Sequence, residues 1–170
     1  MIDFSQFYTL NDQFTITPAI ILAMFGCAIL LADFLLFPDP RHRKYLVFGV
    51  LAAEVFAGSG LWKQQDWLAT HGATQFAGFS RSVLVDGFGI FFNWLFLAAA
   101  VIVALISYKY LEIAGEHHGE YYGLILFAQC GMYFLATGTD LITLFIGLEL
   151  MALLRGWRDD TPVPATLLPD

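Results

Sequence analysis

Charge is what this chain has least of. Only 14% of its 170 residues are charged, against about 25% in an ordinary soluble domain. Hydrophobic residues make up 58%. Too little polar surface is left to cover a core in water, so a soluble globular domain is a poor fit and lipid is the natural solvent. Basic residues are scarcer still. Eight Lys and Arg stand against fifteen Asp and Glu, for a net charge of −7. They form no patch that could neutralise phosphates, so nucleic acid is not a partner. Cysteine is limited to Cys27 and Cys130, each inside an apolar run. Neither has convergent ligands nearby in sequence. Both read as small buried apolar side chains rather than a disulfide or metal pair. A glycine-rich phosphate loop, a nucleophile elbow, a CxxC and a haem pattern are all missing. No redox cofactor or metal site can be assembled from the chain. The first sixteen residues carry Asp3 and Asp12 but no Lys or Arg, the reverse of the basic start of a signal peptide. They read as a polar lead-in to a retained helix. Internal repeats and low-complexity stretches are absent.

What is present is a series of apolar runs. The first is Pro18 to Phe37, with Thr17 as its cap and Pro18 in its first turn. It has the roughly 20 residues needed to cross about 30 Å of hydrocarbon. Pro38, Asp39 and Pro40 end it, and the basic cluster Arg41, His42, Arg43, Lys44 follows. The second run is Tyr45 to Trp62, with Trp62 suited to an interfacial belt. The connection Lys63 to Val85 is mixed, and Phe79 to Asp86 shows some two-residue alternation, the pattern of a short hairpin. The third run, Phe88 to Tyr108, carries no formal charge. A polar loop from Lys109 to Glu120 leads to the fourth, Tyr121 to Thr137, and a turn at Gly138, Thr139 and Asp140 leads to the fifth, Leu141 to Leu154.

The fifth run is short. Fourteen residues make roughly 21 Å of helix, less than a roughly 30 Å core. Arg155-Gly-Trp-Arg-Asp-Asp then arrives abruptly, followed by Pro162, Pro164 and Pro169. This stretch lacks apolar periodicity and predicts coil. The expected fold is therefore all-α: a polytopic transmembrane bundle of four full spans and a truncated fifth in residues 1–154, with a foreign coil tail in 155–170. Basic residues set the orientation. With the N-terminus outside, the inner segments hold Arg41, Arg43, Lys44, Lys109, Arg155 and Arg158, and the outer segments hold Lys63 and Arg81. Six against two predicts that orientation.

Acids inside apolar helices are the candidate functional residues. A charged side chain at the bilayer centre costs about 2.5 to 3.5 kcal/mol on insertion scales, so such a group earns a functional reading by default. Glu149, inside the fifth run, can bind and release a proton or pair with a Lys in a relay. Glu54, near the middle of the second, has the same standing, though Ala52, Ala53, Ala57, Gly58 and Gly60 beside it equally suit a packing helix whose Glu bonds to a neighbouring backbone. Asp33 and Asp140 sit near helix ends. Asp33 can reach the interface, and Asp140 suits the N-cap or first turn of the fifth helix. His117 and His118, with Glu116 and Glu120, lie in a short polar loop and read as solvated rather than as metal ligands, because no further ligands converge.

Three runs carry a resemblance. Val85-Asp-Gly-Phe-Gly-Ile-Phe-Phe92, His118-Gly-Glu-Tyr-Tyr-Gly-Leu-Ile-Leu-Phe127 and Thr139-Asp-Leu-Ile-Thr-Leu-Phe-Ile-Gly-Leu-Glu-Leu-Met-Ala-Leu153 resemble the N subunit of bacterial NADH:quinone oxidoreductase, in the membrane arm of respiratory complex I. The likeness covers roughly Pro18 to Leu153. It implies an antiporter-like fold of about fourteen transmembrane helices in the intact subunit, an outer N-terminus, and an outer-face hairpin after the second helix. It implies that Glu149 matches the family's acid on the fifth helix, paired with a Lys on a later one, so that protonation coupled to quinone reduction elsewhere moves protons along the membrane midplane. NADH, flavin, iron–sulfur centres and the quinone site belong to other subunits. The implied partners are the other membrane subunits and the lipid bilayer, in the bacterial inner membrane. The resemblance does not extend past Leu153, where Leu154-Arg155-Gly156-Trp157-Arg158 replaces the expected apolar continuation. Two other readings remain open: a cation/proton antiporter subunit outside the respiratory chain, and a non-functional structural remnant.

Overall fold

The computed structural model describes residues 10–35, 45–114 and 119–159. These residues form helices α1 (Leu10–Leu35), α2 (Leu46–His71), α3 (Gly87–Ala114), α4 (Gly119–Thr137) and α5 (Leu141–Asp159), with strands β1 (Gln75–Gly78) and β2 (Val83–Asp86) between α2 and α3. The fold is therefore mostly helical, as the apolar runs predicted, with one short antiparallel hairpin. Its register pairs Gln75 with Asp86 and Gly78 with Val83.

Helix boundaries depart from expectation in three places. Pro18 does not open α1 but lies inside it, and Thr17 is not the cap, because its Oγ1 donates to the Gln13 carbonyl one turn back, at 2.8 Å. Two turns of helix precede Pro18 because groups from other elements hold them. The Asp12 carboxylate accepts the Phe79 N–H of the hairpin turn. α2 does not end at Trp62. It continues through Lys63 and Gln64 to His71 and stops at Gly72, which takes the left-handed conformation (φ +58°) that glycine adopts without steric penalty. α5 does not end at Leu154. Its backbone stays helical through Arg155 to Asp159, where coil was predicted. A helix propagates residue by residue once started, and Arg is a good helix former. The rest of the predicted tail, 160–170, lies outside the described residues, as do the basic cluster at 41–44 and the 115–118 loop with Glu116, His117 and His118.

Among the described residues, three helices are long and apolar enough to cross a membrane: Asp12–Leu35, Leu46–His71 and Gly87–Lys109. α4 has the length, at 19 residues, but carries Tyr121, Tyr122, Gln129 and Tyr133. α5 has a shorter apolar stretch, Leu141–Ala152. α4 is the hub of the bundle, packing on α5, α1 and α3, while α1 packs on α2 and α2 on α3. Its burial explains its polarity, since a helix covered by other helices need not match lipid. α4 and α5 nearly touch backbone to backbone. A Cβ built on Gly131 would stand 2.5 Å from the Gly147 carbonyl oxygen, so only glycine permits this approach.

The bundle is apolar outside, and its mainly apolar core encloses several polar groups. Phe34, Val55, Phe88, Phe91 and Ile106 are each more than 60% exposed, whereas Glu54, Gln64, Asn93, Gln129 and Thr137 are buried. In water this would leave large apolar patches uncovered. In lipid it is the expected pattern, with polar groups meeting inside.

Candidate functional site

Local sequence positions several polar groups by simple means. Asp86 caps α3 by accepting the Gly89 N–H at 2.7 Å, and Asp140 caps α5 by accepting the Thr143 N–H at 2.7 Å, both three residues on. The Asp140 cap is the one expected from the sequence. The Ser82 hydroxyl above all, and then Thr143, hold the Asp140 carboxyl below its ordinary value of 3.8, because each bond favours the charged form.

The interior polar groups are positioned by contacts between helices. Pro18 has no N–H, so the Phe14 carbonyl loses its usual intrahelical donor. Gln64 of α2 supplies one: its Nε2 donates to Phe14 O at 3.0 Å and to Thr15 O at 2.9 Å. Tyr133 of α4 donates its hydroxyl to the same Thr15 oxygen, at 2.5 Å. α1, α2 and α4 are thus tied together at the proline.

A second junction lies farther along α2. Glu54 and Gln64 are ten residues apart, close to three helical turns and about 15 Å. Glu54 is 2% exposed, and its Oε2 accepts from Gln129 Nε2 of α4 at 2.9 Å. The neighbouring small residues, Ala53 and Ala57, are buried and let the helices close in.

Glu149 is placed differently. Its side chain is exposed on α5. It shares a helical face with Ile142 and Phe145, which are 72% and 60% exposed, through offsets of three, four and seven residues. The two candidate acids are therefore not brought together: Glu54 is sealed between α2 and α4, and Glu149 looks outward from α5. Asp33, expected to reach the interface, is buried instead. Cys130 is buried as expected, with its Sγ 3.6 Å from the Ala19 carbonyl. Cys27 is exposed rather than buried, because its position on α1 turns away from α2 and α4. A shallow groove between the end of α2 and the start of α3, walled by Leu68, Ile90, Phe91 and Trp94, holds no acid or base.

The sequence reading missed Gln64, Gln129 and Tyr133. A signal existed for Gln129, the lone amide within the apolar run of α4. Gln64 was hidden because its segment read as a polar connection.

No protein-family model matches the chain, but individual relatives do. It is 72% identical over 153 residues to NADH-quinone oxidoreductase subunit N 2 of Solibacter usitatus, a stretch that makes up 90% of this chain and 31% of that protein. The NADH-quinone oxidoreductase subunit N 1 of Koribacter versatilis is 41% identical over 84% of this chain and 28% of its own length. The subunit N of Trichlorobacter lovleyi is 38% identical over 91% of this chain and 31% of its own length. The chain belongs to the NADH-quinone oxidoreductase subunit N family. It spans about a third of the length of the curated relatives it matches. The outward face of α5 that carries Glu149 has no covering element among the described residues, while Glu54 and Gln129 are already enclosed.

Proposed function

We propose that the chain is the N-terminal part of a membrane subunit of a proton-translocating NADH:quinone oxidoreductase, coupling electron transfer from NADH to quinone with proton movement. One observation carries this reading: the 72% identity, over nine-tenths of the chain, to a protein of that name. The exposed apolar surface of the bundle, with polar groups enclosed inside, supports a bilayer setting, which for this family is the bacterial inner membrane.

Glu149 is the proton-relay carboxylate in this reading. Its position supports the role. It stands among apolar side chains on a face of α5 that the rest of a full-length subunit, about two-thirds of the length of the relatives, is available to cover. A Lys on a later helix then partners it. NADH, flavin, iron–sulfur centres and quinone are handled by the neighbouring subunits, and this segment supplies a proton-conducting wall. Orientation has support from topology. The start of α1, the end of α2, the hairpin, the start of α3 and the turn between α4 and α5 gather at one end. That end carries Arg81 and lies nearer Lys63, whereas the segments assigned by sequence to the other side hold Arg41, Arg43, Lys44, Lys109, Arg155 and Arg158. Six basic residues against two favour an outer position for the hairpin end under the positive-inside rule.

The test is Glu149→Gln in the full-length subunit. Assembled complex should be recovered at near-normal amounts, while NADH-driven proton uptake into membrane vesicles falls to a small fraction of its normal rate. Unchanged uptake would remove Glu149 from the relay.

A further inference from the structure

Glu54 and Gln129 form a pair whose hydrogen bonding is incomplete in a specific way. Both side chains are at most 3% exposed. One bond joins them, from Gln129 Nε2 to Glu54 Oε2. That bond leaves two buried oxygens without a partner, Glu54 Oε1 and Gln129 Oε1. A charged carboxylate in such a place needs a cation or several donors. Neither is supplied by the described residues. Among the described side chains, Lys63, Arg81 and Lys109 are all exposed. The titratable groups buried on the helices packed around the pair are Asp12 and Asp33 of α1 and Tyr122, Cys130 and Tyr133 of α4, and none is basic. No group of three potential metal ligands occurs among the described residues.

One hydrogen atom resolves both vacant oxygens. A carboxylic acid and a carboxamide have complementary edges: the amide N–H donates to one acid oxygen, and the acid O–H on the other donates to the amide carbonyl. The observed bond is the first half of that arrangement. We propose that Glu54 is a proton-holding site, a neutral carboxylic acid whose Oε1–H is donated to Gln129 Oε1, closing a two-bond pair between α2 and α4. The ligand is a proton and the receptor is the acid–amide pair. Losing that proton would leave a buried carboxylate facing an amide oxygen, two like partial charges, and would loosen the α2–α4 junction. The proposal goes beyond the role of Glu149 and does not depend on it, since the two acids lie on different faces of different helices.

Infrared spectroscopy of the full chain in phospholipid at neutral pH tests it, because the carbonyl stretch of a protonated carboxyl is resolved from that of a carboxylate. The wild-type chain should show a protonated-carboxyl band that Glu54→Gln removes, with helix content by circular dichroism unchanged. The difference spectrum separates Glu54 from Asp33. Gln129→Leu should keep the band and move it to higher frequency, because the acid carbonyl loses its N–H donor. That arm stands even if Glu54→Gln fails to fold. A wild-type spectrum with no such band, or a band unmoved by Gln129→Leu, overturns the pair.

Discussion

Asp140 joins two elements through one side chain. Its carboxylate caps α5 through the Thr143 N–H, and the Ser82 hydroxyl of the hairpin bonds to it as well. Both need the charged form. Because the folded-state value is depressed below the ordinary 3.8, the stabilisation is complete above that ordinary value and is lost as pH falls through the lower folded one. Thermal unfolding of the chain in detergent should therefore show a falling midpoint on acidification below about pH 4, and Asp140→Asn should lower the neutral-pH midpoint while flattening that acid limb. An unchanged acid limb would show that Asp140 does not contribute to it. This residue was legible in the sequence because its partner lies three positions on. Glu54 was only half legible. Its costly location could be read from the apolar run, but Gln129 is 75 positions away, and no local pattern names a partner at that distance.

The helices themselves were legible as apolar runs, but their ends were not, and α1 shows why. A proline after a polar stretch reads as a first-turn residue because its missing N–H does no harm there. Here the missing N–H falls inside α1, and Gln64 of α2 fills the gap at the Phe14 carbonyl. Tertiary hydrogen bonding has overridden a local rule. The two residues should then be energetically coupled. Gln64→Leu leaves the half-buried Phe14 oxygen without its donor and should cost about 1 to 3 kcal/mol. In a Pro18→Ala background the restored N–H can reach that oxygen, so the same Gln64→Leu change should cost less. The difference should be about 0.5 to 3 kcal/mol. Reversible unfolding of the two single variants and the double variant in mixed micelles measures it, and strictly additive costs would show that Gln64 does not compensate for the proline.

At the scale of the molecule, one end of the bundle is built differently from the other. The hairpin turn Phe79–Arg81 holds three consecutive non-glycine residues at positive φ, +51°, +54° and +77°, a costly conformation for side-chain-bearing residues. Neighbouring helices hold it in place. Asp12 of α1 accepts the Phe79 N–H. Thr139, between α4 and α5, donates its hydroxyl to Arg81 O and its N–H to Ser82 O, the latter at 3.0 Å. Alternation near Phe79–Asp86 hinted at the hairpin, but its docking against two distant helix ends was not readable. The assembled end gives the orientation a direct test. In a background with Cys27 and Cys130 replaced, a cysteine put at Ser80, exposed at the hairpin tip, should react with a membrane-impermeant maleimide added to intact spheroplasts. A cysteine at Lys109, exposed toward the opposite end, should react only after the membrane is opened. Labelling of both before opening would mean that the bundle does not span the bilayer. Labelling of position 109 alone would mean that it spans in the opposite sense, with the hairpin, and the start of α1 bonded to it, on the inner side.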